Sequence, residues 1–186
     1  MYIIYLEYGG IYMEFTTRRL EIKKVIPEYI PIMFKIWDRE NEVGKYIPEY
    51  DPDWDVDAFK EHIINTFRSD LYERGVIKLK DSNEIIGYAS VYREDSRSKS
   101  VNIYISKDYW NHGYGHEVLS AIVRRLKKEG LGSVYATCDS RNIGAIKILE
   151  RNGFECIDKI VGDRVDVNGE VGDELLYELE LIRVQY

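Results

Sequence analysis

Gly113 and Gly115 stand one residue apart at the entrance to an amphipathic stretch, in the run Trp110-Asn111-His112-Gly113-Tyr114-Gly115-His116-Glu117. An apolar, strand-like segment, Val101 to Ser106, comes just before it. Glycine lets backbone N–H groups approach a ligand with no side chain in the way. The first turn of a helix has unpaired N–H groups and a partial positive charge, which suit a phosphate. The run therefore predicts a strand, a tight turn and a helix whose first turn cradles a pyrophosphate. A chain built around such a unit must place a sheet and a helix in contact.

The flanking periodicities agree. Residues Arg19 to Val25 alternate as a strand. Ile30, Met33, Phe34 and Trp37 share a helical face within 27–41. Asp55 or Asp57 caps a second helix that runs to about Tyr72, with Phe59, Ile63, Ile64 and Phe67 inward. Val76 to Lys80 and Glu84 to Arg93 pair as a hairpin around Asp81-Ser82-Asn83. Tyr114 to Glu129 is a strong helix stopped by Gly130. A strand Ser133 to Cys138, a helix Asn142 to Arg151 and strands Phe154 to Val161 and Leu175 to Val184 follow, with a turn at Asn168-Gly169. The order is β-α-α-β-β-β-α-β-α-β-β, a mixed α/β domain.

At 186 residues the chain is expected to form one domain. Lys and Arg total 26 and Asp and Glu 33, so the net charge is 26 − 33 = −7. No basic stripe is present, which argues against a nucleic-acid partner. Cys138 and Cys156 fit no zinc spacing and read as reduced thiols of a cytoplasmic protein. His112 and His116 are four apart, but no carboxylate completes a zinc-like set, so no metal is expected. The apolar opening, Met1 to Tyr12, lacks the marks of a signal peptide and is too short to span a membrane. It reads either as an extension upstream of a start at Met13 or as an added edge strand.

A dinucleotide fold is one source of Gly-x-Gly, with Asp139 as a ribose ligand. Two facts oppose it. The third glycine of that fingerprint falls at Val118, and Gly113 lies eight residues after Ile105 rather than directly behind its strand. The second motif decides. Asn142-Ile143-Gly144-Ala145-Ile146-Lys147-Ile148-Leu149-Glu150-Arg151-Asn152-Gly153-Phe154 follows the first after one helix and one strand. As a pair, the two segments resemble the GNAT superfamily of acetyl-CoA-dependent N-acetyltransferases. Trp110 in the first place of the cradle, and the opening Arg18-Arg19-Leu20-Glu21-Ile22, look like the branch that acetylates ribosomal-protein N-termini. The similarity covers roughly residues 14 to 182.

The resemblance implies a central mixed, mostly antiparallel sheet with a splayed strand pair, flanked by helices. It divides the chain into an extension, 1–13, and an acetyltransferase domain, 14–186. It implies that N–H groups of about Asn111 to His116, Gly113, Tyr114 and Gly115 among them, hold the pyrophosphate of acetyl-CoA, with Trp110 in the first place of the cradle. It also implies that the strand end Ile103-Tyr104-Ile105 pairs with the pantetheine amides. Asn142 contacts the pantetheine arm and Lys147 approaches the adenosine phosphates. His116 caps or lines the turn, and Glu117 is read as a first-turn charge. The partner is an amine, from a small molecule or a protein N-terminus, and a homodimer is a further option.

The chain departs from the family at the proton donor. Relatives place a tyrosine seven residues after the motif asparagine or a serine three after it, where this chain has Leu149 and Ala145. Tyr104, Ser140 or water are the substitutes, or the thiolate leaves unprotonated, and Glu49, Glu94 and Asp139 are candidate bases. The missing donors also leave open a non-catalytic, CoA-binding sensor or scaffold. Acceptor specificity falls to the segment from about Trp37 to Trp54, with Tyr46, Tyr50 and Trp54, and to the loop near Arg93 to Lys99.

Overall fold

The computed structural model describes residues 11–37, 43–46, 54–67, 69–166 and 168–181. Nine strands and four α-helices are present among them. The strands are Ile11–Tyr12 (β1), Phe15–Thr16 (β2), Leu20–Lys23 (β3), Tyr72–Leu79 (β4), Ile85–Arg93 (β5), Ser98–Ile105 (β6), Ser133–Asp139 (β7), Glu155–Val165 (β8) and Val171–Glu180 (β9). The helices are Ile30–Trp37 (α1), Val56–Phe67 (α2), Tyr114–Lys128 (α3) and Ile143–Arg151 (α4). The sheet order is β2-β3-β4-β5-β6-β7-β9-β8, with β1 beside β4. Among the described residues, β1–β4 and β6–β7 are the parallel pairs. The result is a mixed α/β fold with a mostly antiparallel open sheet and four flanking helices, as the resemblance implies.

Alternation along the strands sorts their side chains into two layers. Ile77, Ala89, Val91, Val101 and Val134 pack with Val118, Leu119, Ile122 and Leu126 of α3 and Leu149 of α4. Val76 and Tyr88 face the other way, onto Ile30, Met33 and Trp37 of α1 and Phe59 and Ile63 of α2. Helix α1, α2 and the α3–α4 pair therefore lie on opposite faces of one sheet.

One pairing matters most for function. β6 and β7 are joined through three positions alone: Ser98 with Ser133, Lys99 with Val134 and Ser100 with Tyr135. Beyond them the strands separate. The far half of β6 keeps its β5 partner, through Tyr88 with Tyr104 and Gly87 with Ile105, and β7 keeps β9 through Asp139 with Glu174. A V-shaped gap opens between Val101–Ile105 and Ala136–Asp139.

Several boundaries move from their expected places. α2 ends at Phe67 and Tyr72 already begins β4, so the strand starts four residues earlier than Val76. The reason is that Glu73 and Arg74 interrupt the apolar pattern yet are buried. Glu73 is held there by Lys99 at 2.6 Å and Arg125 at 2.5 Å. β6 starts at Ser98, because Asp95 Oδ1 accepts from the N–H groups of Arg97 (2.6 Å) and Ser98 (2.8 Å) and closes the turn early. β8 and β9 extend to Val165 and back to Val171. Asp166 closes their turn by accepting from the N–H groups of Asn168 and Glu170. Asp55, not Asp57, caps α2, accepting from Ala58 N–H at 2.8 Å. Of the opening segment, Ile11 and Tyr12 are described, paired with Glu73 and Arg74, and Met13 is fully buried.

Candidate functional site

The turn between β6 and α3 has the form of a backbone nest. Asn111 (φ 62°) and Gly113 (φ 77°) are both left-handed, and His112 lies between them. Alternating handedness of this kind points successive N–H groups into one concavity. Gly113 is the N-cap of α3 and offers no side-chain cap. The first helical bond is made by Glu117 N–H to the Gly113 carbonyl at 3.1 Å. The N–H groups of Tyr114, Gly115 and His116 precede it and belong to the unpaired first turn. A diphosphate fits such a site by charge and by donor geometry.

Gly115 has a different reason for its identity. A Cβ there would sit 2.8 Å from Ile148 Cδ1. It marks the close approach of α4 to α3, which brings the second motif against the first.

The rim of the nest is fixed by side chains. His112 Nδ1 lies 2.7 Å from the Trp110 carbonyl, and its ring stacks on Tyr114 at 5.8 Å. Trp110 Nε1 donates to the Ile105 carbonyl at 2.7 Å, and its ring packs into the α1–α2 layer. His116 Nδ1 lies 2.9 Å from Asn152 Nδ2, at the far end of α4, so its ring links the two motif helices.

Glu117 is more than a helix-end charge. It takes Thr17 Oγ1 at 2.6 Å, Arg19 N–H at 2.9 Å and Arg19 Nε at 2.7 Å. Burial pushes this carboxyl up, and these partners more than offset that and hold it below the usual carboxylate range. Arg19 also donates from Nη1 to the His112 carbonyl at 2.9 Å and lies 4.4 Å over the Tyr114 ring. Residue-by-residue reading missed this contact. Arg18 and Arg19 are adjacent, and nothing local says which of them turns inward.

The gap beside the nest is bounded by β6. Ser106 N–H donates to the Ile86 carbonyl. By strand alternation Tyr104 and Asn102 also turn their backbone groups to β5, while Ile103 and Ile105 turn theirs to the gap. This corrects the expectation for Tyr104: its backbone is engaged by β5. Its ring lies in the α1–α2 layer, 5.3 Å from Trp37 and 6.1 Å from Tyr88. Since the Ile105 carbonyl already receives Trp110, Ile103 carries the backbone pair most open to a ligand.

On the opposite wall, Asn142 caps α4, its Oδ1 accepting from Ala145 N–H at 3.0 Å. The cap leaves the Nδ2 donor to a ligand. Lys147 is on the exposed face of α4. Ser140 Oγ accepts from Asp173 N–H at 3.2 Å.

The candidate bases fare differently. Asp139 is buried, with Oδ1 receiving Arg141 Nε at 2.9 Å and Oδ2 receiving Nη2 at 2.6 Å. Burial raises this carboxyl, and Arg141 overrides it and keeps it below the usual range. Asp139 is thus part of a structural pair that joins the β7–α4 loop to Asp166 of the β8–β9 turn, 3.1 Å from Arg141 Nη1. Glu94 is exposed in the β5–β6 turn, beyond the closed end of the V, with its N–H on the Ser98 carbonyl. Seven residues of strand, about 20 Å, separate that turn from Ile105. Glu49 and Tyr50 lie outside the described residues. Trp54 packs against His62 at 4.5 Å and Phe59 at 6.2 Å, within the core layer. Among the described residues, no group of three His, Cys, Asp or Glu is placed to hold a metal, and no helix is long and apolar enough to cross a membrane.

A family model for the acetyltransferase (GNAT) domain matches residues 19–155, so the chain belongs to the GNAT family of acetyltransferases. Solved structures share the fold. A GNAT-family acetyltransferase from Bacillus anthracis superposes with a TM-score of 0.77 at 20% identity, covering 91% of this chain and 99% of that one. Spermidine N-acetyltransferase from Vibrio cholerae, in complex with CoA and spermine, gives 0.77 at 15% identity over 88% and 96%. RimL, a ribosomal L7/L12 alpha-N-protein acetyltransferase in complex with coenzyme A, gives 0.75 at 14% over 88% and 95%. No curated protein matches the chain by sequence.

Proposed function

We propose that this protein moves the acetyl group of acetyl-CoA to a primary amine by direct attack. The observation that carries this reading is the nest at Asn111–Gly113 placed beside the V between β6 and β7. A diphosphate at the nest sends its thioester arm into the gap, between Ile103 on one wall and the Asn142 Nδ2 donor on the other. The N–H groups of about Asn111 to His116, with Trp110 at the rim, form the anion site, and Lys147 adds a charge from the face of α4.

The acceptor reaches the gap from the α1–α2 layer, past Tyr88 and Tyr104. A small-molecule amine with a pKa near 10.4, or an N-terminal α-amine near 7.7–8.0, must be in its neutral form before it attacks. Asp139 is ill suited to take it, since Arg141 stabilises its charged form. A water chain, or Glu49, is the better acceptor of that proton. Tyr104 is the donor we assign to the departing thiolate, because Leu149 is core and Ala145 has no proton to give. Tyr88 is a poor alternative: burial pushes its hydroxyl up to about 12, against the opposing pull of Arg74 and Ser90.

The ribosomal-protein branch is the finer assignment we favour, on the strength of Trp110 and the Arg18–Ile22 strand. The acceptor is then a protein N-terminus, with small amines as competitors. A second reading, a CoA-binding sensor, is favoured by Leu149 and Ala145 alone.

Isothermal titration with acetyl-CoA tests the common part of both readings. Submillimolar affinity is expected, and absence of binding removes them together. A panel of polyamines and N-terminal peptides, assayed for free CoA, separates enzyme from sensor. Turnover above background supports the enzyme, and silence across the panel with intact binding supports the sensor.

A further inference from the structure

We propose that Arg19 is the positioning residue of the anion-binding turn: it holds the nest in shape and cancels a carboxylate built into the same helical turn. This rests on the acetyl-CoA reading above. Glu117 lies one turn inside α3, directly behind the N–H groups that would meet the diphosphate. A carboxylate there favours the helix dipole but opposes a second anion at the same end. Its charge is met by Thr17 Oγ1 (2.6 Å), Arg19 N–H (2.9 Å) and Arg19 Nε (2.7 Å).

The same guanidinium does a second task. Its Nη1 donates to the carbonyl of His112 at 2.9 Å, the residue between the two left-handed positions of the nest. Holding that carbonyl to one side keeps the N–H edge turned to the ligand. The guanidinium plane also covers Tyr114 at 4.4 Å, and its Nη2 is 3.6 Å from where a Cβ on Gly113 would lie. A planar fork can reach the carboxylate and the carbonyl at once, and a lysine ammonium on a flexible stem cannot hold both in that geometry.

Arg19 comes from the β2–β3 turn, which is itself closed by Thr17 N–H on the Leu20 carbonyl at 2.9 Å and Leu20 N–H on Thr17 Oγ1 at 3.0 Å. The pair is one-third exposed on the arginine side, so its worth to overall stability is small. Its effect is expected in ligand affinity.

The test is calorimetric titration of coenzyme A into the wild type, Arg19→Ala, Arg19→Lys and the double variant Arg19→Ala/Glu117→Gln, with melting curves for each. Arg19→Ala is expected to bind about tenfold more weakly, the worth of one charge-assisted hydrogen bond. It should melt within a few degrees of the wild type. Removing the exposed anion in the double variant is expected to recover about threefold of that loss, which a merely structural role would not do. Arg19→Lys should stay several-fold weak. Wild-type affinity in Arg19→Ala overturns the inference. If Arg19→Ala does not fold, wild-type affinity in Arg19→Lys overturns it instead. Absence of coenzyme A binding in the wild type itself brings down the function reading and this inference together.

Discussion

The indole N–H of Trp110 donates to the carbonyl of Ile105, five residues back, at 2.7 Å. That bond folds the exit of β6 against the entrance of α3. It sets the angle between the gap-lining strand and the nest. Trp110→Phe keeps an aromatic ring but loses the N–H donor and part of the packed indole. The expected outcome is a loss of about 1 kcal/mol of fold stability and a several-fold weaker affinity for acetyl-CoA. Melting and titration check both.

The two cradle glycines should respond differently. Gly113→Asp puts a carboxylate on the nest at a left-handed position, where strain costs about 1–2 kcal/mol. It should remain folded and lose acetyl-CoA binding. Gly115→Asp drives its side chain toward Ile148 Cδ1 and buries a charge between α3 and α4. It should lose binding and also about 3 kcal/mol or more of stability. Circular-dichroism melts beside titration distinguish the two, and retained affinity in Gly113→Asp contradicts the cradle.

Asp139 and Arg141 give a pH signature. The folded carboxyl of Asp139 lies below the ordinary value because Arg141 outweighs the burial that would raise it. A depressed folded pKa contributes stability above the unfolded value of about 3.9, and this is lost as pH falls through the lower folded value. Asp139→Asn removes that contribution and leaves Arg141 with Asp166 and Glu170. About 3 kcal/mol of destabilisation is expected at pH 7, shrinking toward pH 3, as read from denaturant unfolding at several pH values.

The two thiols should not react alike. Burial pushes the Cys138 thiol up to about 12, whereas Cys156 is exposed. The thiolate is the nucleophile. Iodoacetamide at pH 8 should label Cys156 and spare Cys138 in the folded protein, with both labelled in denaturant. Peptide mass spectrometry reads the outcome.

Tyr104→Phe probes the donor assignment. If Tyr104 supplies the thiolate's proton, kcat falls by about a hundredfold with little change in KM for acetyl-CoA. An unchanged kcat removes Tyr104 as the donor and leaves water, Ser140 or departure of the unprotonated thiolate.

Much of this molecule was legible in its letters. The Gly113/Gly115 turn, the amphipathic helix α3 with its stop at Gly130, and the start of α4 at Asn142 are local features, written in spacing and turn chemistry that hold wherever the segment lies. The pairing of the two motifs pointed to the fold family through its resemblance to known acetyltransferases. What local pattern could not express was long-range partnership. Glu73 and Arg74 read as loop or surface, because a strand pattern counts apolar residues and cannot foresee that Lys99 and Arg125 will neutralise a buried carboxylate. Asp139 read as a possible base, because nothing in its neighbours says that Arg141 will turn back onto it. Tyr104 and Ile105 read as one ligand-pairing edge, because only the β5 register and the Trp110 bond decide which backbone groups stay open. Sequence by itself determined most of the elements and the tight turn at Gly113, since dihedral preference and periodicity act over a few residues. The V between β6 and β7 was implied by the family resemblance, and tertiary structure alone decided the grip of Arg19 on Glu117 and His112, since that is an interaction between segments that only the packed sheet brings within hydrogen-bond reach.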